Sequence, residues 1–300
     1  MNLTGLKAAV VLKRTAYRTY GPADARVREL LRKKDPTVAR LVRAHDDHET
    51  TVREVEDALT SLGVQAKFVE AAEPLTGTFD DVDFVLTVGG DGTLLLASHR
   101  ASSRTPILGI NSAPKDSVGF FCAAKKGQVR RALVAMMRGK LPKVVLTRMQ
   151  VELNGTQVHE RVLNEALFCH ASPAATSRYI LRVKDGTARA VEEEHRSSGL
   201  WIGPAAGSTA AQKSAGGKVL PLSSKRLQYV VREPYAPRGQ RIRLSRGTLG
   251  DGGSVTALCK MQTAKLFLDG VHTAFDCTLG DVVTFLRSPD PLVVFGMPRR

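Results

Sequence analysis

The chain has 300 residues, with 44 lysines and arginines against 29 aspartates and glutamates for a net charge of +15. That length carries one large or two modest domains, and no apolar run approaches the ~18 residues that a membrane span needs. The basic residues are spread, with short clusters at Arg26 to Lys34 and Arg238 to Arg246, and neither a basic recognition helix nor an aromatic RNA-binding motif accompanies them. Nucleic acid and membrane are therefore not expected as partners, while small polyanions such as nucleotides fit the charge.

In chain order, Ala8 to Leu12 is strand-sized and lacks a signal-peptide cleavage pattern, which makes a cytoplasmic location the default. A first strand is expected over Val10 to Lys13 and a long amphipathic helix over Pro36 to Leu62. Strands follow at Gln65 to Glu70, Asp83 to Val88 and Pro106 to Ile110, then a helix at Gln128 to Met137 and a break at Gly139 to Pro142. Alternation of apolar strands with helices predicts a parallel, Rossmann-like α/β domain over residues 1–142. Beyond it the segments are short and turn-separated: Val144 to Leu153, Gln157 to Leu163, Arg178 to Val183, Arg226 to Arg232, Ile242 to Leu244, Ser254 to Met261, Ala264 to Leu268 and Val282 to Leu286. With Asn154-Gly155, Asp185-Gly186 and Asp269-Gly270 as turns, they predict a mainly antiparallel β domain over 143–275.

Gly89-Gly90-Asp91-Gly92-Thr93 follows one of these apolar strands and opens a helix at Leu94. Its glycines remove the Cβ atoms that would hold a phosphate or ribose off the main chain. Asp91 would repel phosphate directly, yet suits a metal ion or a proton; the alternative reading is a carboxylate that merely caps the helix. Asn111 ends the next strand, where ligands of open α/β sheets sit. In the β-rich half, Asn164-Glu165 offers an amide and a carboxylate for ribose hydroxyls or a base edge. Gly207 to Gly217 is rich in small and hydroxyl residues; a helix from about Ser208 to Gly216 would aim amides and hydroxyls at an anion, or simply pack closely. Cys122, Cys169, Cys259 and Cys277 are far apart and give no zinc or disulfide pattern. Five histidines, His99, His159, His170, His195 and His272, show no triad or metal spacing. Glu192-Glu193-Glu194 reads as a solvated turn and Trp201 as core.

The ordered set GGDGT, Gly109-Ile110-Asn111 with Gly119-Phe120-Phe121, Asn164-Glu165 and Gly207-Ser208-Thr209-Ala210 to Ser214-Ala215-Gly216-Gly217 resembles the NAD kinase family. A weaker echo lies at Leu268-Asp269-Gly270 and Leu279-Gly280-Asp281. Ser172 to Tyr179, Arg196-Ser197-Ser198-Gly199-Leu200 and Leu227 to Pro234 look like its plant NADH-preferring branch, whose mitochondrial relatives share the Ser-Ser-Gly-Leu element. GGDGT is shared with diacylglycerol- and sphingosine-type lipid kinases, which stand as one alternative; a non-catalytic nucleotide-binding regulator is another. The resemblance implies transfer of the ATP γ-phosphoryl group to the adenosine-ribose 2′-hydroxyl of NAD⁺ or NADH, with Mg²⁺ brought by ATP and Asp91 as base or metal-orienting carboxylate. Gly90, Gly92 and Thr93 would contact phosphate, Asn164 and Glu165 the acceptor nucleotide, Ser208, Thr209, Ala210 and Ser214 its pocket, and Asn111, Arg178 and Ser198 further parts of the nucleotides. The chain departs from the common pattern at Ser198, where an aspartate is usual, and at Ala211, where an aromatic is usual. A homodimer is implied, with residues 276–300 returning to the first domain. The ending Met297-Pro298-Arg299-Arg300 lacks a peroxisomal tripeptide.

Overall fold

The computed structural model describes residues 5–21, 23–71, 77–237, 239 and 241–297. Arg238, one end of a basic cluster, and the last three residues of the sequence lie outside them. The chain divides into two units, with the boundary at Val144 and a return of the chain to the first unit at Leu292.

The first unit is built on a mostly parallel sheet of β1 (Lys7–Lys13), β2 (Gln65–Ala71), β3 (Phe84–Gly89), β4 (Ile107–Asn111), β5 (Cys122–Lys125) and β6 (Lys143–Leu146), joined by the late strand Leu292–Phe295. Its order is β2-β1-β3-β4, then the late strand, then β6, with β5 also on β4. All six residues of β3 and all five of β4 are buried, as expected of strands covered on both faces, and this is why they appear in the sequence as unbroken apolar runs. Helices α1 (Ala16–Tyr20) and α2 (Ala25–Arg32) precede α3 (Pro36–Ser61). Asp35 caps α3 by accepting the Thr37 amide, and Pro36 occupies the first turn, where a missing N–H costs nothing. Val55, Ala58 and Leu59 of α3 pack with Val10, Leu86, Leu108 and Leu133 into the core of this unit. Helices α4 (Asp91–Ser98) and α5 (Val129–Met137) complete it. Because β1 is flanked by β2 and β3, the strand order reverses at the β1/β3 pair, the crevice where open α/β sheets bind ligands.

The second unit contains β7 (Met149–Leu153), β8 (Thr156–Val162), β9 (Ala166–His170), β10 (Ser177–Lys184), β11 (Val191–Ser197), β12 (Gly199–Pro204), β13 (Leu227–Arg232), β14 (Arg246–Leu249), β15 (Ser254–Cys259), β16 (Ala264–Leu268), β17 (Thr273–Cys277) and β18 (Val282–Arg287). They form two antiparallel sheets, β11-β10-β15-β18-β7-β8 and β14-β13-β12-β9-β16-β17. Strict alternation along β15 and β16 turns one side of each inward, and Val151, Phe168, Tyr179, Leu200, Leu266 and Phe285 meet in one core drawn from both sheets. Trp201, on β12, is half-buried. No helix among the described residues is long and apolar enough to cross a membrane.

Four sequence expectations are corrected. Val144 to Leu153 is two strands, because Arg148 turns its fully buried guanidinium inward, onto the Asp290 carboxylate at 2.7 Å and the Asp290 carbonyl at 2.7 Å. Glu192-Glu193-Glu194 lies within β11, an edge strand whose charges are matched: Glu192 by Arg182 and Glu194 by Lys260. Ile242 to Leu244 is not a strand, since the Arg243 and Leu244 amides bond to the Glu193 carboxylate instead of a ladder; β14 pairs with β13 in its place. Val282 to Arg287 pairs with β15 and β7 in the second unit, so the return to the first unit starts at Leu292.

Candidate active site

In the first unit, β3 ends at Gly89 and α4 begins at Asp91, with Gly90 at the cap position and no side chain capping the helix. A Cβ on Gly89 would collide with the Thr93 hydroxyl and lie 3.0 Å from the Lys13 Cβ, whereas a Cβ on Gly92 would meet nothing within 4 Å. The loop is thus tight underneath and open at Gly92, as close approach of a phosphate requires. The Asp91 carboxylate is fixed from both sides: Phe120 donates its amide to Oδ2 at 2.9 Å and Phe121 to Oδ1 at 2.8 Å. One amide on each oxygen leaves each a second lone pair, available to a hydroxyl proton or a cation.

Asn111 reaches the same loop by a different route. Its Oδ1 accepts the Ala113 amide and its Nδ2 donates to the Ser117 carbonyl, so its side chain shapes the segment that delivers the Phe120 and Phe121 amides. Arg40 and Arg43 of α3 grip the same segment through Asp116. Thr93 is buried.

In the second unit, Asn164 and Glu165 lead into β9. Asp269, at the end of β16 with φ +50°, accepts the amides of Leu163, Asn164 and Glu165 and returns its own amide to the Glu165 carbonyl. Asn164 Oδ1 and Glu165 Oε2 are buried and have no hydrogen-bond partner. Burial, and secondarily the neighbouring Asp269 charge, push the Glu165 carboxyl up to about 8. Two orphaned oxygens on adjacent residues are what a nucleotide's hydroxyl and amino donors would satisfy.

The expected helix from Ser208 is instead a 3-10 turn, Ala205–Thr209, followed by the single turn α6 (Ala211–Ser214), because Ala210 adopts a non-helical conformation between them. Gly207 is there for contact: a Cβ on it would land on the Asn164 carbonyl. Ser208 is buried, donating to the Ala205 carbonyl and accepting the Leu220 amide, so its hydroxyl fixes the turn. Thr209 and Ala210 are half-buried and Ser214 is exposed. Gln212, which the sequence offered only as one of the stretch Thr209 to Ser214, is buried and links Gln228 to this turn; Asp269 stood out there only as part of an echo. A lone glutamine within a small-residue run carries no such signal, while an aspartate before glycine at a hairpin turn does carry a weak one.

Ser198 and Arg178 stand apart from that loop. Ser198 donates its hydroxyl to the Glu233 carboxylate, Glu233 itself taking a left-handed conformation, so a carboxylate stands beside this position although residue 198 does not supply it. Arg178 is exposed on β10, opposite Arg196 of the neighbouring strand β11.

Residues 11–141 match the model of the ATP-NAD kinase N-terminal domain. A probable NADH kinase of Oryza sativa subsp. japonica is 36% identical over 75% of this chain and 74% of its own length. An NADH kinase of Arabidopsis thaliana is 32% identical over 83% of each. Among solved structures, an NAD kinase from Archaeoglobus fulgidus in complex with ATP superposes with a TM-score of 0.68 over 97% of this chain and 94% of that one, at 21% identity.

Proposed function

This chain belongs to the NAD kinase family, and from that premise we propose how its residues divide the work of the reaction. The protein is an ATP-dependent NAD(H) kinase, making NADP⁺ or NADPH by phosphorylating the adenosine-ribose 2′-hydroxyl. The lipid-kinase alternative is set aside by identity that extends over three quarters of the chain and of its plant relative.

Asp91 carries the reading. A ribose hydroxyl is a poor nucleophile while it holds its proton, and Asp91, clamped by two amides with a free lone pair on each oxygen, is built to accept that proton or orient a cation without moving itself. The open backbone at Gly92 admits the triphosphate. Asn164 and Glu165 receive the acceptor nucleotide on their unpartnered oxygens, the neutral form of Glu165 also donating a hydrogen bond. Asn111 and Ser208 act indirectly, by fixing the backbone around these contacts.

No group of three potential metal-ligating side chains occurs among the described residues, so a Mg²⁺ ion would be held chiefly by ATP, with Asp91 as its one protein carboxylate. When bound it would neutralise charge on the triphosphate. A homodimer in the cytoplasm completes the proposal, tested by light scattering of the purified protein and imaging of a tagged chain. The activity is tested by incubating protein, ATP and Mg²⁺ with NAD⁺ or NADH and detecting NADP(H) enzymatically. Product from either acceptor is expected; none at high enzyme concentration would overturn the reading.

A further inference from the structure

Lys13 is the last residue of β1, at the carboxyl end of the strand where the sheet order reverses. β1 runs parallel to β3 with Leu12 beside Val88, so Lys13 stands beside Gly89, the first residue of the glycine loop. Its Cβ is 3.0 Å from where a Gly89 Cβ would be. The two side chains that crowd the bare face of Gly89 are therefore Thr93 and Lys13.

Charge bookkeeping singles Lys13 out further. Arg18 is matched by Glu49 and Glu70, Lys126 by Asp47, and Arg40 and Arg43 by Asp116, while Arg14, also without an ion pair among the described residues, is exposed to solvent. Lys13 is half-buried and has no ion-pair partner among the described residues. Asp91, whose carboxylate holds the Phe120 and Phe121 amides, is not within ion-pair distance of it either. The ammonium also acts on His48, whose imidazole is held down to about 4 mainly by burial, with the Lys13 and Arg18 charges adding to the effect. His48 lies 3.0 Å from the Ser112 hydroxyl, and the Ser112 amide bonds the Gly89 carbonyl, so the imidazole that senses this charge is itself tied to the loop. A half-buried ammonium without a carboxylate, beside a glycine loop at the switch point of an open sheet, is incomplete until an anion arrives.

We propose that Lys13 is a triphosphate-binding residue of this kinase, its ammonium contacting the phosphates of the donor nucleotide over Gly89. The proposal rests on the kinase reading of the same site and adds a donor contact that the motifs themselves do not contain.

The test compares wild type, Lys13→Met and Lys13→Arg in steady-state kinetics, and in equilibrium binding of a non-hydrolysable ATP analogue. Loss of one charge-assisted contact predicts that K13M raises both KM for ATP and Kd for the analogue by about tenfold to a hundredfold. KM for NAD(H) is expected to stay within twofold, and K13R to recover most of the lost affinity. Inorganic tripolyphosphate should inhibit K13M correspondingly less than wild type. Unchanged ATP affinity in folded K13M, or an equal rise in the KM for NAD(H), overturns the proposal. A wild-type protein that makes no NADP(H) overturns the kinase reading instead, and the analogue binding then still decides whether Lys13 holds triphosphate. Should K13M not fold, acetylation of wild-type lysines read by mass spectrometry serves: the ATP analogue must protect Lys13 while NAD⁺ does not, and equal labelling with and without analogue refutes the contact.

Discussion

Asp91 in the first unit and Asp269 in the second are held in the same way in different surroundings. Each carboxylate accepts consecutive backbone amides from another segment, Phe120 and Phe121 for Asp91 and Leu163 to Glu165 for Asp269. Around Asp91 the next glycine is open to solvent; the loop pinned by Asp269 is pressed by Gly207 and carries the two orphaned oxygens of Asn164 and Glu165. An amide-bound carboxylate is thus no sign of a role in itself. Under the proposed function, what separates the reacting carboxylate from the positioning one is the space left beside it.

The largest effect expected from this contrast is on chemistry at Asp91. Asp91→Asn keeps the shape but removes the proton acceptor, so kcat should fall by about 10³-fold, with the binding of ATP analogue and NAD(H) changed only a few-fold. A parallel loss of binding and turnover, measured by calorimetry and initial rates, would return Asp91 to a structural role. At Asp269 the expected loss is of structure: Asp269→Ala leaves three amides without their acceptor, costing about 3 kcal/mol in denaturant unfolding and raising KM for NAD(H).

A pair of glycine substitutions sharpens the comparison. Gly207→Ala drives a methyl into the Asn164 carbonyl and should destabilise by about 1–3 kcal/mol, with acceptor binding following. Gly92→Ala meets no neighbour in the free protein, so its unfolding midpoint should hold while KM for ATP rises. If G92A instead lowers the melting temperature as G207A does, the open side of the glycine loop is misread.

The smallest effect is a slope. Because the Glu165 carboxyl is raised from 4.5 to about 8, the fold retains a proton that the unfolded chain has lost, so this group's contribution to stability is complete below pH 4.5 and fades as pH rises through 8. Glu165→Gln, permanently neutral, should match wild type near pH 5 and exceed it increasingly toward pH 8.5, in melting temperatures taken across that range. Identical slopes would mean that Glu165 is ionised in the fold at neutral pH.

Much of the first unit was legible because parallel strands covered on both faces must be continuously apolar, and because Asp35-Pro36 marks the start of α3. β9, β11 and β12 were not: β11 carries three glutamates on an edge, and β12 is broken in character by Gly199, Gly203 and Pro204. The candidate site was legible where a residue's chemistry shows in its own neighbourhood: the structure gives Asp91 two amide contacts and leaves an unpartnered oxygen on each of Asn164 and Glu165, the features on which the proposed roles rest. What the sequence did not show at Ser208 is that its hydroxyl is engaged by the Ala205 carbonyl and the Leu220 amide, which ties it to the turn.

By itself the sequence determined the two-part architecture, the family and the carboxylate proposed to do the chemistry, since periodicity and motif order are local properties of the chain. Only the tertiary structure decided that Phe120 and Phe121 clamp Asp91, that Asp269 organises a loop more than a hundred residues away, and that Lys13 stands beside Gly89 with no ion-pair partner among the described residues. The physical reason is range: a hydrogen bond or an unpaired charge is defined by what lies within a few ångströms in space, and distance along the chain does not record it.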